Sequence, residues 1–458
     1  MRHGFNFAGF NFARMALIAL IASVGTQANA SGSIDASFGS GGIQRVSGEG
    51  AYGPTSMVVM QGGRIAYAAG RPGSAQLLVG ILRPDGQPDS NFAGDGLLTL
   101  SSTGSLSAPF IAEDPANHAI VLVATELLGG IYHMRICRIL DTGSLDNTFT
   151  LSGYAGQSGC VRTDSPPGAP NGLTPAGVIV DSNGSIDVGG TAYDFSDPTI
   201  QFKVFAAAIV PGGAVITTVN FVGGYNVVIN AMAMNPLSNS MLLTGSTQLP
   251  NGSDTDTAII LVRASTVVVW NNRVLNVNAG YDEGRGVAIK FDGNIIVAGV
   301  ADVSGSSRTQ CVVYETDANL NPVINFGQSG GGLATNFTGV NIDSARCDAV
   351  VVDSQRRAYI SGAVLHGTGE FDMAIGRLTD TGTFDALLYG DQAPGYSVLG
   401  PDDSPNVHNE RVFAVGLQNG RAIIAGPSEP FTGATLANTD MLFLRLDEYD
   451  YLFANGME

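Results

Sequence analysis

What this sequence most lacks is a helix. Beyond its first 30 residues no stretch keeps a helical apolar period closed by capping residues, which sets helical bundles aside. No glycine-rich motif opens a helix to cradle a phosphate, and no G-x-S-x-G elbow stands between a strand and a helix, so neither a phosphate-binding loop nor a serine triad has support. Charge is scarce as well. Asp, Glu, Lys and Arg make up 14% of residues against 44% hydrophobic residues and 61 glycines, the balance of a turn-rich, well-cored globular chain and not of a disordered one. The four cysteines include no pair at the spacing of about two to four residues that thiolate metal clusters use, which disfavours a metal.

Long apolar runs are missing too. The run MALIALIASV from Met15 to Val24 falls far below the roughly twenty residues that a bilayer requires. It follows Arg2 and Arg14 and precedes Ala28-Asn29-Ala30, the order of a secretory signal. Cleavage is expected after Ala30, leaving residues 31–458 as a single exported domain, periplasmic or secreted. No cysteine follows the cleavage point to carry a lipid anchor. A monomer is expected, with no membrane span because the apolar run is too short.

Without Arg2 and Arg14 the chain keeps 20 basic residues against 40 acidic ones, a formal charge of −20. That excess repels phosphate backbones and argues against nucleic acid, while it suits cations or basic ligands; plain solubility of an exported protein is the simpler explanation.

What is present is one sentence written seven times. An apolar stretch (TSMVVM, APFIAE, AGVIVD, NAMAMN, GVAIKF, DAVVVD, VFAVGL) leads through a short turn such as QGG, DSNG, FDGN or QNG into a second one ending in a small residue. A variable loop and a third stretch follow. The runs are short, rich in Val and Ile, and bounded by Gly, Asn and Asp, which predicts strands, the first two forming a hairpin. The small residues Gly70, Ala124, Gly190, Gly245, Gly299, Gly362 and Gly426 recur at intervals of 54 to 66 residues and suggest strands crowding toward an axis. Radial repetition of four antiparallel strands is the pattern of an all-β, seven-bladed β-propeller.

The fourth strand follows a glycine-rich turn, as in QPDSNFAGDGLLTL at Gln87. The last copy ends at YDYLFANGME without one, whereas SIDASFGSGGIQRV at the front has that turn and a strand with no repeat before it. The predicted solution is that Ile43–Val46 completes the seventh blade and removes an open edge. Arg138, Arg377 and Arg445 recur near the end of the third stretch and are expected to order neighbouring blades.

The phrase LDxSFGxGG, the hairpin DGNIIVAG and RLTDTGTFD at Arg377 resemble the delta-60 repeat family of bacterial exported proteins. The resemblance covers nearly the whole chain after the signal and implies a propeller fold and export. It carries no activity or residue role. Copies three and four depart from it, having lost the LDxSFG element.

Four cysteines in an exported chain favour disulfides, with Cys137 facing Cys160 within one blade and Cys311 near Cys347 across a blade boundary; free buried thiols remain the alternative. The long loops gather on one face. There NGSDTDT, GYDEGRG, HGTGEFD and PDDSPNVHNE place Asp254, Asp256, Asp282, Glu283, His366, Glu370, Asp372, Asp402, Asp403, His408 and Glu410 on one rim. Hard cations take carboxylate oxygens from loops, so Ca2+ is the candidate cofactor, although NGSDTDTA lacks the glycine and distal Glu of an EF-hand and solvated turn carboxylates explain the same residues. Two functional readings follow. The first is a non-catalytic interaction scaffold whose partner is a protein, a glycan or a small cationic ligand, because the framework repeats while the loops vary. The second is a hydrolase or lyase, which asks for two carboxylates roughly 5 to 10 Å apart in a cleft.

Overall fold

The computed structural model of the chain describes residues 33–447, except 47–53, 71–74, 151–154, 211–212, 220–224, 249–253, 264–267, 277–279, 328–331, 338–341, 387–394, 401–407, 431–439 and the single positions 158, 164, 167, 236, 237, 239, 336 and 368. The expected signal and cleavage site lie outside these residues, as do Asp402 and Asp403.

The β-branched runs form strands throughout. Among the described residues there is no α-helix, only a 3-10 turn at Gln61–Gly63, and no helix long and apolar enough to cross a membrane. After β1 (Ile43–Val46), copy one folds as β2 (Pro54–Val59), β3 (Ile65–Gly70), β4 (Gln76–Leu82) and β5 (Leu97–Ser101). Copy two gives β6 (Ser105–Glu113), β7 (Ile120–Leu128), β8 (Ile131–Ile139), β9 (Ala155–Gln157) and β10 (Cys160–Arg162). Copy three gives β11 (Gly172–Val180), β12 (Ile186–Tyr193), β13 (Phe202–Val210) and β14 (Gly213–Val219). Copy four gives β15 (Asn226–Asn235), β16 (Ser240–Gln248), β17 (Thr255–Arg263) and β18 (Val268–Leu275). Copy five gives β19 (Asp282–Ile289), β20 (Ile295–Asp302), β21 (Thr309–Thr316) and β22 (Gly332–Thr335). Copy six gives β23 (Ile342–Val352), β24 (Ala358–His366), β25 (Phe371–Leu378) and β26 (Tyr396–Leu399). Copy seven gives β27 (His408–Glu410), β28 (Ala414–Gln418), β29 (Arg421–Pro430) and β30 (Asp440–Arg445).

Paired strands within each copy are antiparallel, with β10 between β8 and β9 in copy two and β27 and β28 both on β29 in copy seven, and copies two and three are linked by one parallel bridge, Tyr132 with Gly172. Copies three and four form their fourth strands, β14 and β18, without the LDxSFG element. At the end of the chain β1 lies antiparallel on β30, with Ile43 opposite Leu444 and Val46 opposite Met441. Apolar clusters sit between successive copies, and one joins Phe38 of the opening phrase and Tyr67 of copy one to Ala425 and Phe443 of copy seven. The Tyr67 and Phe443 rings stand 4.8 Å apart.

The opening phrase is a folded device with an evident reason to recur. Asp35, Asp89 and Asp146 each accept a backbone N–H two residues on, from Ser37, Asn91 and Thr148, which fixes a tight turn. The turn drops a phenylalanine, Phe38, Phe92 or Phe149, into the core. The third-strand arginines then clasp the aspartates: Arg445 on Asp35 at 2.7 Å, Arg138 on Asp146 at 2.7 Å and Arg377 on Asp385 at 2.8 Å. Burial works to raise the Asp35 carboxyl, yet hydrogen bonds from Ser37 and Arg445 hold it below its usual value. These arginines lock the turn of their own copy, and Arg445 also donates to the Pro84 carbonyl of copy one at 2.8 Å, so it reaches a neighbour as expected. The link to the next copy is made by the backbone directly after the phenylalanine. The N–H groups of Gly39, Ala93 and Gly327 donate to the carbonyls of Asp85, Thr142 and Thr381 in the following copy. Gly39 stands to copy one as Ala93 stands to copy two.

In copies three to seven the small residue ending the second strand has a different cause from the expected crowded axis. The first strand carries an extra residue at Thr55 in copy one, Ala176 in copy three, Asn230 in copy four, Arg285 in copy five and Asp348 in copy six, each skipped in the register with the second strand. Two residues before the bulge a carbonyl turns toward the second strand. A β-carbon at Gly190, Gly245, Gly299, Gly362 or Gly426 would overlap the carbonyl oxygen of Thr174, Val228, Glu283, Arg346 or Arg411. Glycine is demanded by the neighbouring bulge.

Candidate functional site

A bulge bends its strand and re-aims one side chain. Here the re-aimed side chains converge. A cavity of about 400 Å³ is lined by first-strand residues from all seven copies, including Ala176, Asn230, Arg285, Asp348 and Phe413 at the bulge column. Its wall has two arcs. Met57, Phe110, Ala176 and Phe413 are apolar, whereas copies four, five and six contribute Asn230, Arg285 and Asp348.

The polar arc is a connected network. Arg285 contacts Asp348 at 3.1 Å and Glu283 at 2.9 Å, and Arg346 contacts the other oxygen of Asp348 at 2.8 Å. Asn230 donates its side-chain amide to Glu283 at 2.6 Å and to the Gly284 carbonyl at 3.0 Å. The Tyr281 hydroxyl donates to the second oxygen of Glu283. Burial pushes the Asp348 carboxyl above its usual range while Arg346 and Arg285 pull the other way. Burial also works against the Arg285 charge, but Asp348 and Glu283 more than offset it and raise its pKa. Burial and the Glu283 charge together push the Tyr281 phenol up. Two guanidinium groups face two carboxylates, so the network has no formal net charge.

The rim expected from the loops is not what forms. Asp256 and Asp282 are 4% and 0% exposed, and Glu283 and Glu410 are 7% and 2% exposed; all four lie in strands and not in solvated turns. Asp254 accepts the Gly280 N–H at 2.9 Å, and its charge joins burial in raising Asp256. His366 and Asp372 form a pair at 2.8 Å, and the Glu370 carbonyl accepts the His366 N–H. Ser428 donates to Glu410 at 3.3 Å, while the backbone of His408 pairs with Pro430. The described rim residues are therefore split among separate contacts at copies four to five and six to seven, and among them Glu283 alone reaches the central network. Among the described residues no three of His, Cys, Asp and Glu converge as metal ligands. The cysteines form two disulfides, Cys137 with Cys160 within copy two and Cys311 with Cys347 between copies five and six, the second directly before Asp348.

Asn230, Arg285, Arg346 and Asp348 are absent from the sequence-based candidates. A signal for them exists. Aligning the copies on the first stretch gives a column of Thr55, Pro109, Ala176, Asn230, Arg285, Asp348 and Phe413, variable inside an otherwise constant frame.

No family model matches the chain, and no curated protein matches it in sequence. Among solved structures the chain is similar to the polysaccharide lyase Uly1, at 9% identity over 86% of this chain and 90% of that one, with a TM-score of 0.51. It is also similar to the Dos1 propeller (8% identity, 87% and 93% covered, TM-score 0.43) and to a Trypanosoma rangeli sialidase mutant displaying trans-sialidase activity (10% identity, 76% and 55% covered, TM-score 0.41). At such identities the first of these likenesses is one of architecture alone: the chain has an all-β, propeller-like fold of antiparallel sheets.

Proposed function

We propose that this chain is an exported propeller of seven four-stranded blades, of the delta-60 kind, that binds a neutral, hydroxyl-rich ligand of carbohydrate type in its axial cavity. Closure of the seventh blade by β1 is supported by the β1–β30 ladder and by Gly39, which bonds to copy one as Ala93 bonds to copy two. One observation carries the ligand reading: three consecutive copies use the same bulge to aim Asn230, Arg285 and Asp348 into one cavity of about 400 Å³. A cavity of that size holds a ligand of a few rings. Its polar arc has no formal net charge, which selects neither a cation nor an anion. It offers fixed amide and guanidinium donors beside carboxylate acceptors, the complement of a ring of hydroxyls.

A second reading, hydrolase or lyase, draws on Asp348, whose carboxyl burial pushes upward as general acids require. Against it, both network carboxylates are engaged by guanidinium groups, which suits holding a ligand better than moving its protons. Equilibrium dialysis of the protein against a saccharide mixture, with mass spectrometry of what is retained, tests both. Intact ligand retained by the wild type and lost on Arg285→Gln supports binding; new fragment masses would replace it with turnover; retention by Arg285→Gln equal to wild type would overturn the axial site.

A further inference from the structure

Copy three carries an aromatic cluster that the axial network does not use. Tyr193, at the end of β12, stands 5.1 Å from the Tyr132 ring and 5.7 Å from both Phe195 and Phe202, with Phe195 and Phe202 6.4 Å apart. Phe195 is 47% exposed, and the other three rings are half-buried. An aromatic surface left open to water at that level marks a contact site more often than a packing accident.

Its place in the fold ties it to the cavity. The Tyr193 hydroxyl meets the Thr174 hydroxyl at 2.9 Å, and Thr174 lies two residues before the bulge residue Ala176, which lines the cavity. Glu283 and Arg346 lie two residues before the bulges at Arg285 and Asp348. Thr174, Glu283 and Arg346 thus hold equivalent positions in the repeat, two residues before the cavity-lining bulge, and the Tyr193 hydroxyl bonds to the first of them. The outer margin is polar. Asp194 and Asp197 flank Phe195, with Lys203 at 2.9 Å and 3.7 Å from their carboxylates. Backbone N–H groups of Ile200 and Thr199 hold the Asp197 carboxyl down at about 2, so it is an ionised acceptor at neutral pH.

We infer that Tyr193, Phe195 and Phe202 form a second subsite, a stacking platform for a sugar ring of an oligosaccharide whose end enters the axial cavity. This rests on the carbohydrate reading of that cavity. A pyranose ring presents an apolar C–H face to an aromatic ring and hydroxyls at its edge to the carboxylates. Four partly covered rings fall well short of the ~800 Å² per partner of a stable protein interface, which favours a small ring-shaped occupant.

The test is binding of neutral oligosaccharides of one linkage and increasing length, for each linkage retained by the wild type. Affinity should rise from the monosaccharide to the longer chains, and Phe195→Ala should remove that gain, about three- to tenfold, while monosaccharide affinity stays unchanged. Tyr193→Phe, which keeps the ring and loses the bond to Thr174, should retain the gain. A Phe195→Ala protein with wild-type melting temperature and an undiminished length dependence would overturn the platform. If Arg285→Gln in the same assay binds like the wild type, the axial reading falls instead. A wild type that retains no saccharide overturns both.

Discussion

The opening phrase and the bulge column are two columns of the same repeat, and they behave in opposite ways. The phrase keeps its chemistry: Asp35, Asp89 and Asp146 turn the chain alike and Phe38, Phe92 and Phe149 fill equivalent holes. The bulge column keeps its backbone and lets the side chain vary, from Ala176 to Asn230 to Arg285 to Asp348. In a repeat protein the residues that recur report what holds the units together. Residues that vary on a constant backbone report what the assembly is used for.

The largest effect expected from breaking this contrast is loss of the clasp. A chain that begins at residue 51 lacks β1, Phe38 and the Asp35 partner of Arg445, and leaves the edge of β30 bare. Concentration-dependent self-association or a melting temperature lowered by several degrees is expected, each kcal/mol costing about 2–4 °C or less in a chain of this size. A melt and sedimentation profile unchanged from wild type would show that the front phrase is ornamental.

Next come single holes in the frame. Phe38→Ala should cost about 3–5 kcal/mol in denaturant unfolding, because its ring is fully buried beneath the Arg445 guanidinium, 4.9 Å from the ring centre. Arg285→Gln, in the variable column, keeps a hydrogen-bonding side chain but takes one guanidinium from the buried Asp348 and Glu283 carboxylates, and should cost about 1–3 kcal/mol, less than Phe38→Ala, and abolish retention of ligand. If Arg285→Gln unfolds the chain as readily as Phe38→Ala does, the division between frame and site is wrong.

The disulfides sharpen the contrast within one type of bond. Replacing Cys137 and Cys160 with Ser, or Cys311 and Cys347 with Ser, should each lower stability by about 2–4 kcal/mol. The second pair should also weaken ligand binding, since Cys347 precedes Asp348 at the bulge and ties it to copy five. Equal ligand affinity in both double variants would remove the bond between copies five and six from the site.

How far the sequence speaks follows from the same division. Strand content, the hairpins and the pairing of the two ends are legible because they repeat. The upper half of each first strand is not. Asp282, Glu283 and Arg285 read as a glycine-rich loop, GYDEGRG, yet Asp282–Ile289 is a strand. The bulge inserts a residue and reverses the alternation of faces, so no period of two runs through it. That hides the part of the strand that lines the cavity, and it moves the expected site outward to a rim whose described acids fall into separate contacts. The recurring glycine is visible in the sequence, but its cause in copies three to seven lies in the carbonyl of the other strand, which no single-strand pattern contains.

One residue breaks the rule from the side of the frame, and it makes the smallest prediction. Asp187 lies in the second strand, 4% exposed, where the other copies place Tyr67, Val121, Leu242, Ile296, Tyr359 and Ile423. Burial, reinforced by Asp181, raises its carboxyl from 3.8 to about 6. Between those values the folded chain holds a proton that the unfolded chain releases. Stability therefore falls as pH rises through that window and is highest below it, the reverse of the usual salt-bridged aspartate. Asp187→Leu restores the apolar pattern, and it should raise unfolding free energy by about 1–3 kcal/mol at pH 7 while leaving it little changed at pH 4. Urea melts of both proteins at the two pH values measure it. A gain of the same size at pH 4 and pH 7 would mean that the added side chain, and not the removed charge, is responsible; no gain at either would mean that the aspartate is tolerated in the frame as an ordinary strand residue.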